Sequence, residues 1–316
     1  MWASHYIKLF FIYFAIIFIL NSGFVIFADP YNIFGSPNFK SINNLKFRYQ
    51  TYERVNKIYQ IRRFQPNTII LGSSVTDVGL KPQSVNRLAG KTFNLSFAGG
   101  GIQEAQLAFR FAAENAPIET VVLGLEIFNF RMADDSQLVQ FEGRVSGGLW
   151  ATAKDIARHT ISIDALYDAI YTIYANLAGN PTTHDASGRY TGFEPGAVPR
   201  TPREPMGVDV AEAAYAAFAA LCREARERQI DLQMFVSPLH HNFVLKREQL
   251  DAWLVRIDTI AGAHGFQIRR FTDAQLQLRD GTAFLDATHF RPDVGDRILS
   301  ALFADSARRP SRSSGR

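Results

Sequence analysis

The sequence predicts an α/β protein: a doubly wound, three-layer parallel sheet with an N-terminal transmembrane helix and a helical insertion. The first observation behind this prediction is that short, wholly apolar runs alternate with longer segments of helical spacing. Continuous apolar runs suit strands that are buried on both faces, and strand–helix–strand repetition builds parallel sheets. The second observation is an uncharged apolar run near the N-terminus that is long enough to cross a bilayer.

The apolar run covers residues 9–28, LFFIYFAIIFILNSGFVIFA, and we interpret it as a single-pass membrane anchor. Charged residues in a span are costly, so their absence is informative. A cleaved signal peptide is the alternative. The run is longer than a typical signal core, and no small-x-small site precedes Asp29, which favours an uncleaved anchor. Charge counting, with Lys8 before the run and three basic residues within 40–48 after it, would by itself place the following domain in the cytoplasm.

Beyond the anchor, residues 29–66 are predicted to form an extended linker, rich in Pro, Gly and Asn, and then a helix over 45–64 that Pro66 ends. An α/β domain is predicted over residues 67–304. Its strands are expected at 68–71, 92–97, 120–125, 231–236 and 266–270. Its helices are expected at 81–88, 103–115, 210–229 and 247–264, before a final loop and helix. Loops after the carboxyl ends of such strands share one rim, where ligands bind.

Residues 130–205 interrupt the alternation, and we interpret them as an insertion or lid over that rim. This stretch contains helical patterns at 149–158 and 163–178, followed by a polar, turn-rich segment at 179–205. Residues 305–316 form a basic tail that we expect to be solvated and disordered. No aromatic residues interleave with its charges, so no nucleic-acid partner is expected.

Metal and disulfide chemistry are not expected. The chain has one cysteine, Cys222, which excludes an intrachain disulfide and a cysteine metal cluster. His240 and His241 follow a predicted strand, but adjacent histidines point in different directions, and no third histidine or cysteine lies at ligand spacing. His240 is instead a candidate contact to substrate or acyl donor, the alternative being an ordinary polar loop residue. No cofactor is expected.

Ser74 is a candidate nucleophile because it lies on a tight turn after a buried strand. Gly72 permits the sharp turn, and the backbone amides that follow can face a developing oxyanion. The alternative is a serine that caps a helix, which would be the better interpretation of Gly-Ser-Ser alone. The residues themselves do not decide between Ser73 and Ser74.

Asp286 and His289 lie three residues apart in FLDATHF, directly before the last predicted helix. This spacing lets the carboxylate accept a hydrogen bond from one imidazole nitrogen while the other nitrogen faces a serine. The alternative is that Asp286 caps the helix and His289 is an ordinary polar residue. A strand followed by Gly-Ser-Ser near the start of the domain, and Asp-x-x-His near its end, together favour a serine nucleophile with a histidine base.

These motifs resemble the conserved blocks of the SGNH (GDSL-like) hydrolase superfamily over about residues 67–304, with the insertion unmatched. The first block resembles residues 72–75 and puts Ser74, rather than Ser73, at the nucleophile position. The second resembles residues 94–99, Asn-Leu-Ser-Phe-Ala-Gly, and the last resembles residues 286–289. The resemblance implies a flavodoxin-like three-layer fold, a triad of Ser74, His289 and Asp286, and an oxyanion glycine at Gly99, with Gly100 beside it.

The third block departs from the superfamily pattern, Gly-x-Asn-Asp, whose asparagine donates to the oxyanion. The aligned residues here are Gly-Leu-Glu-Ile, with Glu126 at the asparagine position. An ionised carboxylate has no hydrogen to donate. Glu126 is therefore expected to be a structural or substrate-contacting acid, and Asn129 is the candidate replacement for the missing donor.

The anchor combined with this departure resembles the DltD-like and alginate-acetylation-like branch of the superfamily. That resemblance implies a domain on the extracytoplasmic side of the inner membrane, with residues 1–8 in the cytoplasm. It implies O-acetyl transfer to a cell-surface or secreted polysaccharide, beside a multi-spanning membrane-bound O-acyltransferase that supplies the acyl group. A carbohydrate or acyl esterase of the same fold, and a non-catalytic scaffold of a polysaccharide-modification complex, are the alternatives.

Overall fold

The computed structural model describes residues 2–49, 51–132, 135–180, 182–196, 201, 204–278 and 282–304. Its centre is a sheet of five parallel strands in the order β2-β1-β3-β4-β5. The strands are β1 (Thr68–Leu71), β2 (Thr92–Asn94), β3 (Thr120–Leu125), β4 (Asp231–Val236) and β5 (Ile268–Arg269). The predicted α/β class with a parallel sheet is confirmed, and this strand order places the switch point between β1 and β3.

Helices precede and follow the strands in the described residues, and several of them cover the two faces of the sheet. They are α1 (Trp2–Ala28), α2 (Glu53–Phe64), α3 (Ser74–Gly79), α4 (Pro82–Ala89), α5 (Ile102–Asn115), α6 (Asp135–Ser146), α7 (Gly148–Ile161), α8 (Ile163–Leu177), α9 (Glu212–Glu227), α10 (Arg247–Ala263), α11 (Asp273–Leu276) and α12 (Pro292–Ala304). A 3-10 helix covers Ile127–Phe130. The predicted basic tail, 305–316, lies outside the described residues.

The strands divide their side chains between two apolar clusters. In β1, Ile69 and Leu71 join a cluster with α2, α5, α9 and α10, whereas Ile70 joins a second cluster with α12. In β3, Val121 and Leu123 belong to the first cluster and Val122 to the second. Alternate residues of a strand face opposite sides of a sheet, so these wholly apolar strands are buried on both faces.

The N-terminal part differs from the prediction in two ways. Helix α1 starts at Trp2, well before residue 9, and its segment His5–Ala28 is long and apolar enough to span a membrane. Residues 29–49 form compact turns rather than an extended linker, and α2 starts at Glu53 rather than at 45. The cause is Asp29, whose buried carboxylate accepts hydrogen bonds from the backbone N–H groups of residues 33–36 and folds the chain back at the end of α1.

The predicted insertion contains three helices, α6, α7 and α8, of which α6 was not predicted from the sequence. The chain after α8 then crosses the rim of the sheet. We call residues 182–196 the strap. Ser187 accepts a backbone hydrogen bond from Asn94 at the end of β2, and Arg189 donates to the carbonyl of Val78 in α3. The strap therefore packs against the end of β2 and the end of α3.

Candidate active site

Ser74 is the first residue of α3, directly after the turn that leaves β1. Gly72 makes that turn with φ of +149°, and a Cβ added there would lie 2.4 Å from Thr76 Oγ1. Only glycine fits both the conformation and the space. The turn therefore presents Ser74 at the carboxyl end of β1, the rim where α/β proteins bind ligands.

The structure brings Ser74, His289 and Asp286 together. His289 Nε2 lies 2.9 Å from Ser74 Oγ, and His289 Nδ1 lies 2.7 Å from Asp286 Oδ2. Because an ionised Asp286 can only accept, Nδ1–H donates to the carboxylate and Nε2 is left to accept from the serine hydroxyl. Two residues separated by 215 positions in the chain are thus joined through one imidazole.

Asp286 is held as a carboxylate. Its Oδ1 accepts from the backbone N–H groups of Thr288 at 2.8 Å and His289 at 2.7 Å, while its Oδ2 accepts from the imidazole. Partial burial opposes ionisation, but these hydrogen bonds outweigh it and lower the pKa of Asp286 to about 2. The charge is therefore in place to orient His289 and to stabilise its imidazolium form.

Ser73 and Ser74 have different surroundings. Ser73 is the N-cap of α3: its Oγ accepts from the backbone N–H of Val75 at 3.1 Å and donates to Glu126 Oε2 at 2.6 Å. Its hydroxyl is buried and has two partners away from His289. The helix-capping role considered for this turn belongs to Ser73, and Ser74 is the serine that faces the imidazole.

Glu126 lies at the end of β3, buried beneath the Ser74 turn. Its two carboxylate oxygens accept from Ser73 Oγ at 2.6 Å and from Ser237 Oγ, after β4, at 3.0 Å. Burial raises the pKa of Glu126, although both hydroxyls favour its ionised form. The carboxylate links the carboxyl ends of β1, β3 and β4, which makes it a positioning group.

Asn129 and Gly100 are committed to structural hydrogen bonds. Asn129 Oδ1 accepts from the backbone N–H of Glu126 at 2.9 Å, and Asn129 Nδ2 donates to the carbonyl of Gly100 at 3.0 Å. The backbone N–H of Gly100 donates to the carbonyl of Phe97 at 2.9 Å. Asn129 therefore lies buried between two backbone segments, which does not fit the role of a replacement oxyanion donor.

We call residues 99–101 the glycine turn. Gly99 remains the better candidate for an oxyanion donor in this turn. It is exposed, has φ of +64°, and a Cβ added there would meet nothing within 4 Å. The neighbouring Phe97 donates its backbone N–H to the carbonyl of Gly72, so the glycine turn packs against the Ser74 turn. The positive φ explains the glycine.

His240 is buried rather than open to a substrate. Its backbone N–H donates to the carbonyl of Ala287 at 3.2 Å, and its ring packs against Phe284 with centroids 5.4 Å apart. Its Nδ1 accepts from the backbone N–H of Asn242 at 3.2 Å. This burial does not fit the predicted contact to substrate, and the contacts of His240 are instead to the loop that carries Asp286 and His289.

The strap supplies a residue that the sequence did not single out. The ring of Phe193 packs on the imidazole of His289, with centroids 4.4 Å apart and planes at 41°. Farther along the strap, a Cβ added at Gly196 would lie 3.1 Å from Asp286 Cβ. The only signal in the sequence was a pair of aromatic residues, Tyr190 and Phe193, within an otherwise polar segment.

A buried ionic cluster lies beneath the site. Lys57 Nζ donates to Asp77 Oδ2 at 3.0 Å and lies 4.0 Å from Glu53 Oε2. Asp77 is three residues after Ser74 in α3 and also accepts from the backbone N–H of Tyr190 in the strap. Glu53 accepts from the backbone N–H of Ala98, beside Gly99, at 2.7 Å. One cluster therefore braces α3, the strap and the glycine turn.

The same cluster contains a group of possible metal ligands among the described residues: Glu53, Asp77 and His184. The Lys57 ammonium already lies against both carboxylates, so it supplies the cation that these acids need. His184 Nε2 lies 4.0 Å from Asp77 Oδ2 and has no hydrogen-bond partner within the described part of the chain. Burial, and after it the nearby charge of Lys57, lower the pKa of His184 to about 2. A second buried cation beside Lys57 would be unfavourable.

One pocket opens at the glycine turn, and a second adjoins it. One, of about 400 Å³, is lined by residues that include Gly99, Arg131 and Arg54. The other, of about 370 Å³, shares Arg54 and Gln137 with it and continues toward the start of α8. Shared lining residues make the two pockets neighbours, and their polar walls suit a hydroxyl-rich ligand better than an apolar one.

The rim thus joins a Ser–His–Asp hydrogen-bond relay, a buried acid beneath it and a polar surface beside it. In comparisons with known proteins, no family model matches this chain and no curated protein matches it. A relay of this geometry activates a serine hydroxyl for attack on a carbonyl carbon on several unrelated folds.

Proposed function

We propose that this chain is a membrane-anchored, extracytoplasmic serine O-acyltransferase that carries the acyl group on Ser74. The observation that supports this proposal is the continuous relay from Ser74 Oγ to His289 Nε2 at 2.9 Å and from His289 Nδ1 to Asp286 Oδ2 at 2.7 Å. The oxyanion donors we propose are the backbone amides of Ser74 and Gly99. The fold that accompanies this function in our proposal is that of the SGNH hydrolases.

In the first half-reaction, Ser74 Oγ attacks the carbonyl carbon of the acyl donor while His289 Nε2 takes the hydroxyl proton. The imidazolium is stabilised by Asp286 and then protonates the leaving group, which breaks the bond between the carbonyl carbon and that group. In the second half-reaction, His289 removes a proton from an acceptor hydroxyl, which attacks the acyl-serine. The proton returns to Ser74 Oγ as the ester to serine breaks.

Transfer rather than hydrolysis is supported by the strap. Phe193 packs on His289, and the imidazole and carboxylate side chains are only 14% and 22% exposed. Limited access for water favours an acceptor that is bound beside the relay. The pocket at Gly99 and the polar pocket that adjoins it fit a sugar hydroxyl, and we propose a polysaccharide as the acceptor.

The acyl donor we propose is a multi-spanning membrane-bound O-acyltransferase, and the group transferred is acetyl. Support comes from the sequence resemblance to the DltD-like and alginate-acetylation-like branch, and from α1, which is long and apolar enough to anchor the domain beside such a partner. The inner membrane, with the domain on its extracytoplasmic side, is the location that this pairing requires.

The proposal is tested by incubating the detergent-solubilised chain with an activated acetyl ester and an oligosaccharide. We expect O-acetylated oligosaccharide from the wild type and none above background from Ser74→Ala. Release of acetate alone by the wild type would contradict transfer and favour the esterase. No acetyl turnover by a folded wild type would contradict both enzymatic functions.

A further inference from the structure

Helix α8 carries its large apolar residues on the outside. Five of them, each between 53% and 85% exposed, lie at spacings of four, three, four and three residues: Ile163, Tyr167, Ile170, Tyr174 and Leu177. Such spacing places them on one face of the helix. We call this face the α8 stripe.

The opposite face of α8 is the one that packs on the protein, and its fully buried residues are small or polar. Ala165 and Ala169 join a buried cluster, and Asp168 accepts from the hydroxyl of Tyr31 at 2.8 Å and pairs with Arg48 at 2.6 Å. The stripe is therefore not a core surface exposed by a missing neighbour within the described fold. A continuous apolar face of this kind marks a surface that a membrane or another molecule covers.

The position of the stripe indicates what covers it. Ala165 and Ala169 pack against Val25 and Ala28, in the last two turns of α1. These turns close the segment His5–Ala28, which is apolar and long enough to cross a bilayer and whose large side chains are exposed over most of its length. The α8 stripe therefore begins beside the end of the possible membrane span.

The neighbouring helix α7 also exposes large apolar residues. Leu149 and Trp150, at the start of α7, are 90% and 88% exposed, and α7 packs against both α1 and α8. Lys154 and Arg158 are exposed farther along α7. Tyrosine and tryptophan are enriched where membrane meets water, and basic residues suit anionic headgroups.

The length and the two-sided character of α8 exclude a second span. It has 15 residues, whereas a span needs about 20, and its buried face carries the polar groups of Asp168, Thr172 and Asn176. Short amphipathic helices of this kind lie in the interfacial layer with the apolar face toward the acyl chains.

We propose that the α8 stripe, together with Leu149 and Trp150, lies in the interfacial layer of the bilayer that α1 enters. The domain then rests on the membrane at a second contact besides its anchor, which fixes the height and tilt of the Ser74 rim above the lipid. The inference rests on α1 being embedded in a membrane and does not depend on the catalytic proposal.

The test uses the full chain in lipid nanodiscs that hold one copy each, with a spin label at Ile170→Cys or Tyr174→Cys. Cys222 is fully buried, so the label attaches to the introduced cysteine. The matched control is Val255→Cys on α10, a site that is 67% exposed and belongs to a helix that does not pack against α1. Collisions with dissolved oxygen report lipid, and collisions with a water-soluble nickel chelate report solvent.

We expect labels at residues 170 and 174 to collide severalfold less with the nickel chelate, and more with oxygen, than the label at residue 255. Equal solvent exposure at all three sites in single-copy discs would overturn the proposal. Protection that appears only when discs hold two copies would assign the stripe to a dimer and would also overturn it.

Discussion

Asp286 and Glu126 are two carboxylates at one rim whose acidities are displaced in opposite directions. Backbone and imidazole hydrogen bonds outweigh partial burial at Asp286 and lower its pKa to about 2, whereas burial raises the pKa of Glu126. Environments that move the pKa values of two acids apart in this way suit the two acids to different tasks. Asp286 supplies a permanent charge to His289, and Glu126 positions two hydroxyls.

Replacing Asp286 with asparagine tests the first task. The amide is close to the carboxylate in shape but its nitrogen donates, so it favours the wrong tautomer of His289. We expect kcat to fall by about 10⁴-fold with the fold retained. Steady-state kinetics on the acetyl ester, with circular dichroism as the check on folding, make the measurement. A loss of less than about tenfold would contradict the role of Asp286 in the relay.

Replacing Glu126 tests the second task. Glu126→Ala leaves the buried hydroxyls of Ser73 and Ser237 without their shared acceptor, and we expect the free energy of unfolding to fall by about 1–3 kcal/mol. Glu126→Gln is the matched control, because its amide both accepts from and donates to hydroxyls. Urea unfolding of both variants makes the comparison, and equal stability of the two would argue against this network.

The sequence predicted the residues of the relay but not the division of labour around it. The turn after β1 and the Asp-x-x-His spacing pointed to a serine at 73 or 74 with Asp286 and His289, and the resemblance to the superfamily blocks selected Ser74. The roles of Ser73, Asn129 and His240 depend on which groups, distant in the sequence, lie within hydrogen-bond reach. No local sequence pattern encodes that. Glu126 was noticed only as a departure from a motif. Its role as the acceptor that joins the carboxyl ends of β1, β3 and β4 depends on how those strands pack.

At the scale of elements, the strap differs from the other connections because it crosses the rim and contacts the relay. Its polar, turn-rich sequence was interpreted as part of an insertion over the rim or a lid, but it gave no periodic pattern, so its individual contacts were not predicted. Strands β1, β3 and β4 start and end where the sequence predicted, because wholly apolar runs bounded by polar or glycine residues leave little choice. Helix α6 and the compact turns of 29–49 were missed. Buried polar contacts such as those of Asp29 determine the turns.

Phe193→Ala tests whether the strap excludes water. Removing the ring opens one face of the His289 imidazole, and we expect the ratio of acetate released to oligosaccharide acetylated to rise severalfold, while Ser74 still becomes acylated. Tyr190→Phe is the control in the same strap, because its ring is retained. An unchanged ratio of acetate released to oligosaccharide acetylated, measured by product analysis, would show that Phe193 does not favour transfer over hydrolysis.

At the scale of the whole molecule, one buried cluster joins the parts of the site. Asp77, Lys57 and Glu53 connect α3, the strap and the glycine turn, so the protonation of the cluster is linked to the stability of the fold. Burial raises the pKa of Asp77 to about 7 from its ordinary 3.8, although Lys57 opposes this and Glu53 reinforces it. The folded chain therefore holds a proton in this pH window that the unfolded chain has lost.

This linkage has a definite sign. Because the folded pKa of Asp77 lies above the unfolded value, its contribution makes the free energy of unfolding fall as pH rises from about 4 to about 7. Urea unfolding at about pH 4 and about pH 8 measures how the free energy of unfolding changes with pH. We expect the part of this change that is a fall with rising pH to be smaller in Asp77→Asn. Asp251→Asn, at an exposed site on α10, is the control. An unchanged slope in Asp77→Asn would show that this acid does not carry the linkage.

The central claim is that Ser74 is a nucleophile activated by His289 and Asp286, and a fluorophosphonate probe tests it directly. We expect covalent labelling of the wild type and of Ser73→Ala, the latter destabilised by about 0.5–2 kcal/mol through loss of its helix cap. Ser74→Ala should not be labelled. A folded wild type that does not react, or labelling that follows Ser73 instead of Ser74, would contradict the claim.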